Sequence, residues 1–204
     1  MTTLRPAPVP AAVEAEMWEQ DGLNTATHGQ ARAKREGSEL DELAFTYLAH
    51  AGGTLLRTHF KIGPVSVDAL VAGTNQRRFW VLAHGNVDAD STAKQPGLRR
   101  TDTTRKIIGD AAVLAPHADP LPVLVITSHL PTRNRADKAA RDWLTALAPF
   151  VHDVISIHHD LRGFQRLRRH FTDDQPATPG RAEEWVEGPW NQLSLTSLEG
   201  WADA

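Results

Sequence analysis

The sequence predicts an α/β domain in which a mixed β-sheet carries helices on both faces. A helical apolar stripe comes first, and three short strands follow it with joints short enough for β-hairpins. Two further buried strands then alternate with helices, a pattern that is typical of crossover connections between parallel strands. The predicted element order is αβββαβαβα.

Composition limits the kind of protein. With 204 residues, 41% of them hydrophobic and 23% charged, the chain has the size and balance of one globular domain with terminal extensions. The net charge of −3 requires any nucleic-acid-binding surface to be local. The sequence has no cysteine, which excludes disulfides and thiolate metal sites and fits a reducing, cytoplasmic location.

Three regions follow from the patterning. Residues 1–36 form a Pro-rich N-terminal arm with a short helix, 37–171 form the domain, and 172–204 form a C-terminal tail. The N-terminus lacks the apolar segment of a signal peptide, and no apolar run approaches the ~20 residues of a spanning helix, so we expect no membrane association. The tail is expected to dock by its three tryptophans, Trp185, Trp190 and Trp201.

The first helix of the domain is predicted to begin after Ser38, a capping residue, and to end at Gly52 and Gly53. Its apolar positions have helical spacing and comprise Leu40, Leu43, Ala44, Tyr47, Leu48 and Ala51.

The three strands of the meander are predicted over 54–62, 64–73 and 77–85, with turns at Gly63-Pro64 and at residues 73–76. A polar loop follows to residue 100. A helix capped by Thr101 or Asp102 is predicted over 101–115. It is followed by a strand over 121–129, a helix over 136–150, a strand over 152–159 and a last helix over 161–171 with its arginines outside.

Asp68 lies inside the second strand, although aspartate is depleted in strand interiors. Two interpretations remain open. Either Asp68 has a functional role that requires an acid at this place, or the strand lies at the edge of the sheet and turns this side chain to water.

The element order, Asp68 in the meander and the strand end Leu82-Ala83-His84-Gly85 together resemble the PD-(D/E)XK, or restriction-endonuclease-like, superfamily over residues 37–171. The resemblance implies a restriction-endonuclease-like core in which acidic side chains hold Mg²⁺ or Mn²⁺ beside the scissile phosphate. Such an ion polarises the phosphoryl oxygen and activates the attacking water. It also implies a lysine that stabilises the developing charge.

Only part of the family's motif is present. Asp68 matches the acid of the second strand, but Leu82 stands at the place of the second acid and His84 at the place of the lysine. His84 is therefore either a metal ligand or general base, or an ordinary polar residue at a strand end. Lys106, on the following helix, is the expected substitute for the missing lysine.

The resemblance also implies an acid from the first helix. Glu39, Asp41 and Glu42 are available, and Glu39 has the most favourable place beside the apolar stripe. Acidic residues at a helix start also suit the helix dipole without any catalytic role. The predicted metal ligands are thus Asp68, His84 and Glu39.

A basic stretch, Arg99, Arg100, Arg105 and Lys106, marks the start of the next helix. The helix dipole disfavours cations there, whereas a helix N-terminus with added arginines suits phosphate. We expect Arg99, Arg100 and Arg105 to contact DNA, and a solvated charged surface is the alternative.

Two polar clusters follow predicted strands, as sites in open α/β sheets do. They are Ser128 with His129, and His158 with His159 and Asp160. No Gly-x-Ser-x-Gly elbow surrounds Ser128, which argues against a serine hydrolase.

The predicted function is that of a DNA-acting, metal-dependent endonuclease of the restriction or phage-defence type with a divergent active site. The first alternative is an inactive module of the same fold that binds DNA or a protein without cleavage. The second is an assembly protein, in which the tryptophans of the tail dock onto a partner or onto a second copy in a homodimer.

Overall fold

The structure is a computed structural model. It describes residues 39–85, 97–117, 121–133, 135, 137–147, 149–158, 160–174 and 178–186. The predicted arm over 1–36 lies outside the described residues, as do Trp190 and Trp201 of the tail.

Helix α1 covers residues 39–50 and buries one side, as its sequence predicts. Its buried side chains include Leu40, Ala44 and Leu48. The chain leaves the helix at Gly52, whose φ of +96° is a left-handed conformation that glycine adopts without a steric cost.

Three strands follow, β1 (Gly53–Ile62), β2 (Val65–Gly73) and β3 (Arg78–His84). The β1–β2 and β2–β3 pairs are both antiparallel, which confirms the predicted meander. A bulge between Leu55 and Arg57 interrupts the regular register of the first pair.

The second half of the domain contains α2 (Thr101–Leu114), β4 (Val123–Thr127), α3 (Lys138–Leu147), β5 (Asp153–Ser156) and α4 (Leu161–Thr172). Strands β3, β4 and β5 pair in parallel, so the sheet is mixed and has the order β1-β2-β3-β4-β5. The predicted α/β class and mixed sheet are confirmed.

The start of α2 differs from the prediction. Neither Thr101 nor Asp102 is the cap, because Arg100 occupies that position without a side-chain capping bond. Asp102 pairs instead with Arg100, with 2.8 Å between Nη2 and Oδ2.

The sheet carries helices on both faces. Apolar side chains of α2 and α3 pack on one face together with Trp185, and those of α1 and α4 pack on the other. Both faces of β4 and β5 are buried, as in a sheet covered on two sides. Within the described part of the chain, none of the helices combines the length and apolar composition needed to cross a membrane.

Asp153, at the start of β5, is a fully buried carboxylate with several hydrogen-bond partners. Arg166 Nε, His170 Nε2 and Trp185 Nε1 each lie 2.9 Å from one of its oxygens. Burial by itself raises the pKa of Asp153, but the bonds and charges of His170 and Arg166 more than offset it, so the pKa lies below its usual value. Asp153 is therefore ionised at neutral pH.

The prediction that the arginines of the last helix lie outside is wrong for Arg166. Its side chain is only 10% exposed and reaches the buried Asp153. The amphipathic pattern of α4 places charged residues outside by default, and it contains no sign of a buried acid thirteen positions earlier in the chain.

The beginning of the tail docks on this network, as predicted for Trp185. The Trp185 side chain is fully buried, and the Gly180 N–H donates to the carbonyl of His152 at 3.0 Å. A Cβ at Gly180 would collide with the carboxylate of Asp153, so glycine is required for this close approach.

We expect Arg166→Met to lower the free energy of unfolding by about 3–5 kcal/mol, because it leaves the buried carboxylate of Asp153 without its cation. Arg168→Met, on the exposed side of the same helix, is the matched control and should cost less than about 0.5 kcal/mol. Urea unfolding of both variants measures the difference, and equal losses would contradict a structural role for the pair.

Candidate metal centre

The antiparallel ladder between β2 and β3 stops one residue after Asp68. Its last pair is Ala69 with Val81, and beyond it the Ala83 N–H donates to Oδ2 of Asp68 at 2.7 Å. A side-chain carboxylate thus takes the place of a backbone carbonyl where the two strands separate. Because β2 lies between β1 and β3, the hypothesis of an edge strand with Asp68 turned to water is wrong.

Strand β2 also turns about its axis at this point. Val67 packs in the core on the α2 side of the sheet, whereas Ala69 packs on the α1 side. Residues two apart in a regular strand share one face, so the strand twists sharply at Asp68. The twist brings the half-buried Asp68 within reach of α1.

His59 of β1 lies across from Asp68. The neighbouring register pairs are Thr58 with Ala69 and Phe60 with Val67, which place His59 opposite Asp68. Its backbone has a φ of +49°, the left-handed region that is uncommon for residues other than glycine. Such residues often occur at functional sites, where the surrounding structure holds the strained backbone in place.

Asp41 of α1 completes the group. Its Oδ2 lies 3.8 Å from Nδ1 of His59, and Phe45, one turn further along α1, packs against the imidazole with ring centroids 5.6 Å apart. One ligand atom from each of Asp41, His59 and Asp68 lies within 4.8 Å of the other two. Two carboxylate oxygens and one imidazole nitrogen form a donor set that fits a divalent cation.

The two acids of this group are poorly solvated. Burial raises the pKa of Asp41 to about 6, with a further contribution from the charge of Asp68 and a partial offset by His59. Burial also raises the pKa of Asp68, against the lowering effects of the Ala83 N–H, Lys106 and His59. A bound cation would stabilise both ionised carboxylates, which the protein alone stabilises incompletely.

Lys106 of α2 lies close enough for its charge to act on two of the predicted site residues. It lowers the pKa of Asp68 and contributes to the lowered pKa of His84. Burial is the larger cause for His84, whose pKa falls to about 4. His84 is therefore a neutral imidazole at physiological pH.

The structure brings together some of the predicted residues and not others. Asp68 belongs to the group that could hold a metal ion, and the acid of the first helix in that group is Asp41, whereas Glu39 was the favoured residue. The apolar stripe of α1 sets which side faces the core, but it does not determine which flank faces β1. His84 is not a member of the group, so its predicted role as a ligand gains no support from this geometry.

His59 was missed from the sequence, although a signal was present. It stands four residues before Gly63, and Asp68 stands four residues after Pro64, so a two-residue turn places them opposite each other. Its left-handed backbone has no signature in the sequence.

The predicted DNA-binding arginines all make contacts within the protein. Arg99 Nε donates to the carbonyl of Leu130 at 3.3 Å, and Arg105 lies over the ring of Trp143 at 4.7 Å. Arg100 pairs with Asp102. Arg100 and Arg105 remain exposed, whereas Arg99 is half-buried.

The polar clusters at the ends of β4 and β5 have structural contacts. Ser128 is fully buried, and its carbonyl accepts a bond from Ser156 Oγ at 2.8 Å. Asp160 caps α4 by accepting from the Gly163 N–H at 2.8 Å. The rings of His129 and His158 are tilted relative to each other with their centroids 5.4 Å apart, and His159 lies outside the described residues.

No protein-family model, curated protein or solved structure matches this chain.

We expect the affinity for Mn²⁺ to fall as the pH drops through about 6, because Asp41 must lose its proton before it can bind a cation. Isothermal titration calorimetry between pH 5 and 8 tests this, and binding near pH 6 should release protons into the buffer. Asp41→Asn should weaken binding at neutral pH. A wild-type affinity that is flat across this range would exclude Asp41 as a ligand.

Proposed function

We propose that this protein is a metal-dependent endonuclease that hydrolyses DNA phosphodiester bonds at the group formed by Asp41, His59 and Asp68. The observation that carries the proposal is the convergence of three ligand atoms within 4.8 Å, next to the charge of Lys106. When bound, a divalent cation would polarise the scissile phosphate and lower the pKa of the attacking water.

The donors come from elements other than the third strand. Leu82 is fully buried in the core, so the third strand supplies no carboxylate. Asp41 from α1 and His59 from β1 take up ligand positions around Asp68 instead. The divergent motif is thus compatible with a complete set of three protein ligands.

Lys106 would stabilise the negative charge that develops on the phosphate, since its ammonium group is exposed and acts on the same acids that hold the cation. His84, with a pKa of about 4, is a weak base and stays neutral over the physiological range. A neutral imidazole there is suited to orienting a water molecule by a hydrogen bond.

DNA as the substrate is supported by the basic stretch on the same helix as Lys106. Arg100 and Arg105 are exposed within two turns of it. Arginine side chains bind backbone phosphates without regard to base sequence, and they position a duplex over a cleavage site.

The second candidate function is DNA binding without cleavage, and one observation favours it. Leu82 of β3 is buried in the protein core, at the position where the superfamily that the sequence resembles has a metal-binding acid. Docking onto a partner or in a homodimer through Trp185 is disfavoured, because this tryptophan is buried within its own domain.

We expect Asp68→Asn to abolish cleavage of supercoiled plasmid with Mn²⁺ or Mg²⁺, and Lys106→Met to lower kcat about 10²- to 10³-fold through the loss of one charge-stabilising group. Asp142→Asn, an exposed acid on α3, is the control and should cleave like the wild type. If the wild type binds DNA but cleaves none with either ion, the non-cleaving alternative is correct.

We expect Arg100→Ala with Arg105→Ala to weaken DNA binding and to lower the slope of log K against log salt by about 0.9 per lost phosphate contact. Arg99 is left intact because it donates to Leu130. The matched control is Arg168→Ala with Arg169→Ala, two exposed arginines of α4 on the other side of the sheet. Fluorescence anisotropy over a range of salt concentrations measures both, and equal slopes would contradict a DNA-binding role for the basic stretch.

A further inference from the structure

We infer that His59 is a metal ligand and that its nitrogen makes the site select a first-row transition-metal ion of the Mn²⁺ type over Mg²⁺. This inference rests on the proposed metal site and adds the identity of the ion to it. It narrows the expectation of Mg²⁺ or Mn²⁺ that the resemblance to the endonuclease superfamily suggested.

The distance between the imidazole of His59 and Asp41 is the first observation that supports a bound ion. Nδ1 lies 3.8 Å from Oδ2 of Asp41, which is too long for a hydrogen bond between them. Two donors on one cation lie at most twice a metal–ligand bond apart, or about 4.2 Å for bonds near 2.1 Å. The gap between His59 and Asp41 therefore fits an ion between them better than a direct bond.

The surroundings of His59 are the second observation that supports a bound ion. Its side chain is 58% exposed, so the group is open to solvent on this side and an ion has a route of entry. Phe45 packs against the ring, and the hairpin places His59 opposite Asp68. The nitrogen is thus held toward the two carboxylates while one side stays open.

The donor set decides the ion. Mg²⁺ binds oxygen ligands in an octahedral geometry and retains several waters, so it gains little from an imidazole. Imidazole nitrogen suits first-row transition ions, and its presence raises their affinity relative to Mg²⁺. Mn²⁺ is the most informative probe, because it accepts the same carboxylate oxygens as Mg²⁺. A difference in affinity between the two ions therefore reports on the imidazole.

The test compares Mn²⁺ and Mg²⁺ binding to the full chain by calorimetry, together with pulsed electron paramagnetic resonance of bound Mn²⁺. The wild type should bind Mn²⁺ more tightly than Mg²⁺ and show coupling to an imidazole nitrogen. His59→Ala should lose that coupling and weaken Mn²⁺ binding by at least the roughly tenfold that loss of an outer-shell partner costs, with a much smaller change for Mg²⁺.

Two further variants sharpen the comparison. His59→Asp gives an all-oxygen donor set and should shift the preference toward Mg²⁺. His50→Ala removes an exposed histidine from the far end of α1 and should leave both affinities and the nitrogen signal unchanged. Circular dichroism of each variant establishes that a loss of binding is not a loss of fold.

The outcomes separate this inference from the proposed function. If His59→Ala keeps the nitrogen coupling and the Mn²⁺ preference, His59 is not a ligand, and the endonuclease proposal remains with Asp41 and Asp68 alone. If the wild type binds neither ion, or if Asp68→Ala binds both as well as the wild type, the metal site itself is wrong and both proposals fail.

Discussion

The architecture of the second half of the domain depends on the hydrogen bonds and the ion pair of one buried carboxylate, that of Asp153. It joins the start of β5, the helix α4 and the beginning of the tail through Arg166, His170 and Trp185. Burying a single charge is expensive, and it is tolerated only where several donors replace water around it. The packing of these three segments therefore depends on the ionised carboxylate of Asp153 and its hydrogen-bond partners, in addition to the apolar core.

Asp68 is the contrasting case. Both carboxylates are withdrawn from water, yet the pKa of Asp153 is lowered and that of Asp68 is raised. The difference lies in the partners, since Asp153 receives a buried guanidinium whereas Asp68 has one backbone N–H and more distant cations. A buried acid with all of its partners is a structural element. An acid with few partners next to a second acid, Asp41, is a site that gains stability from a ligand.

The sequence determined the elements more completely than it determined the site. Periodicity and turn residues placed the helices and strands, because these signals depend on neighbours within a few positions. The candidate metal-binding group depends on which flank of α1 faces β1 and on a left-handed backbone at His59, and neither is encoded by local spacing. Arg166 was assigned to the surface for the same reason, since its partner belongs to another strand. Asp68 was identified because an aspartate inside a strand conflicts with local preference.

The irregular shape of β1 has a consequence for self-association. This strand is one of the two edge strands of the described sheet, and it exposes Leu55 and Leu56. A long, flat, apolar edge strand is a template on which further chains add and aggregate. The bulge between Leu55 and Arg57 and the left-handed turn at His59 bend the strand, so that no long straight stretch remains for an incoming strand to match. The distortion that places the imidazole near the two carboxylates thus also makes β1 a poorer template for an incoming strand.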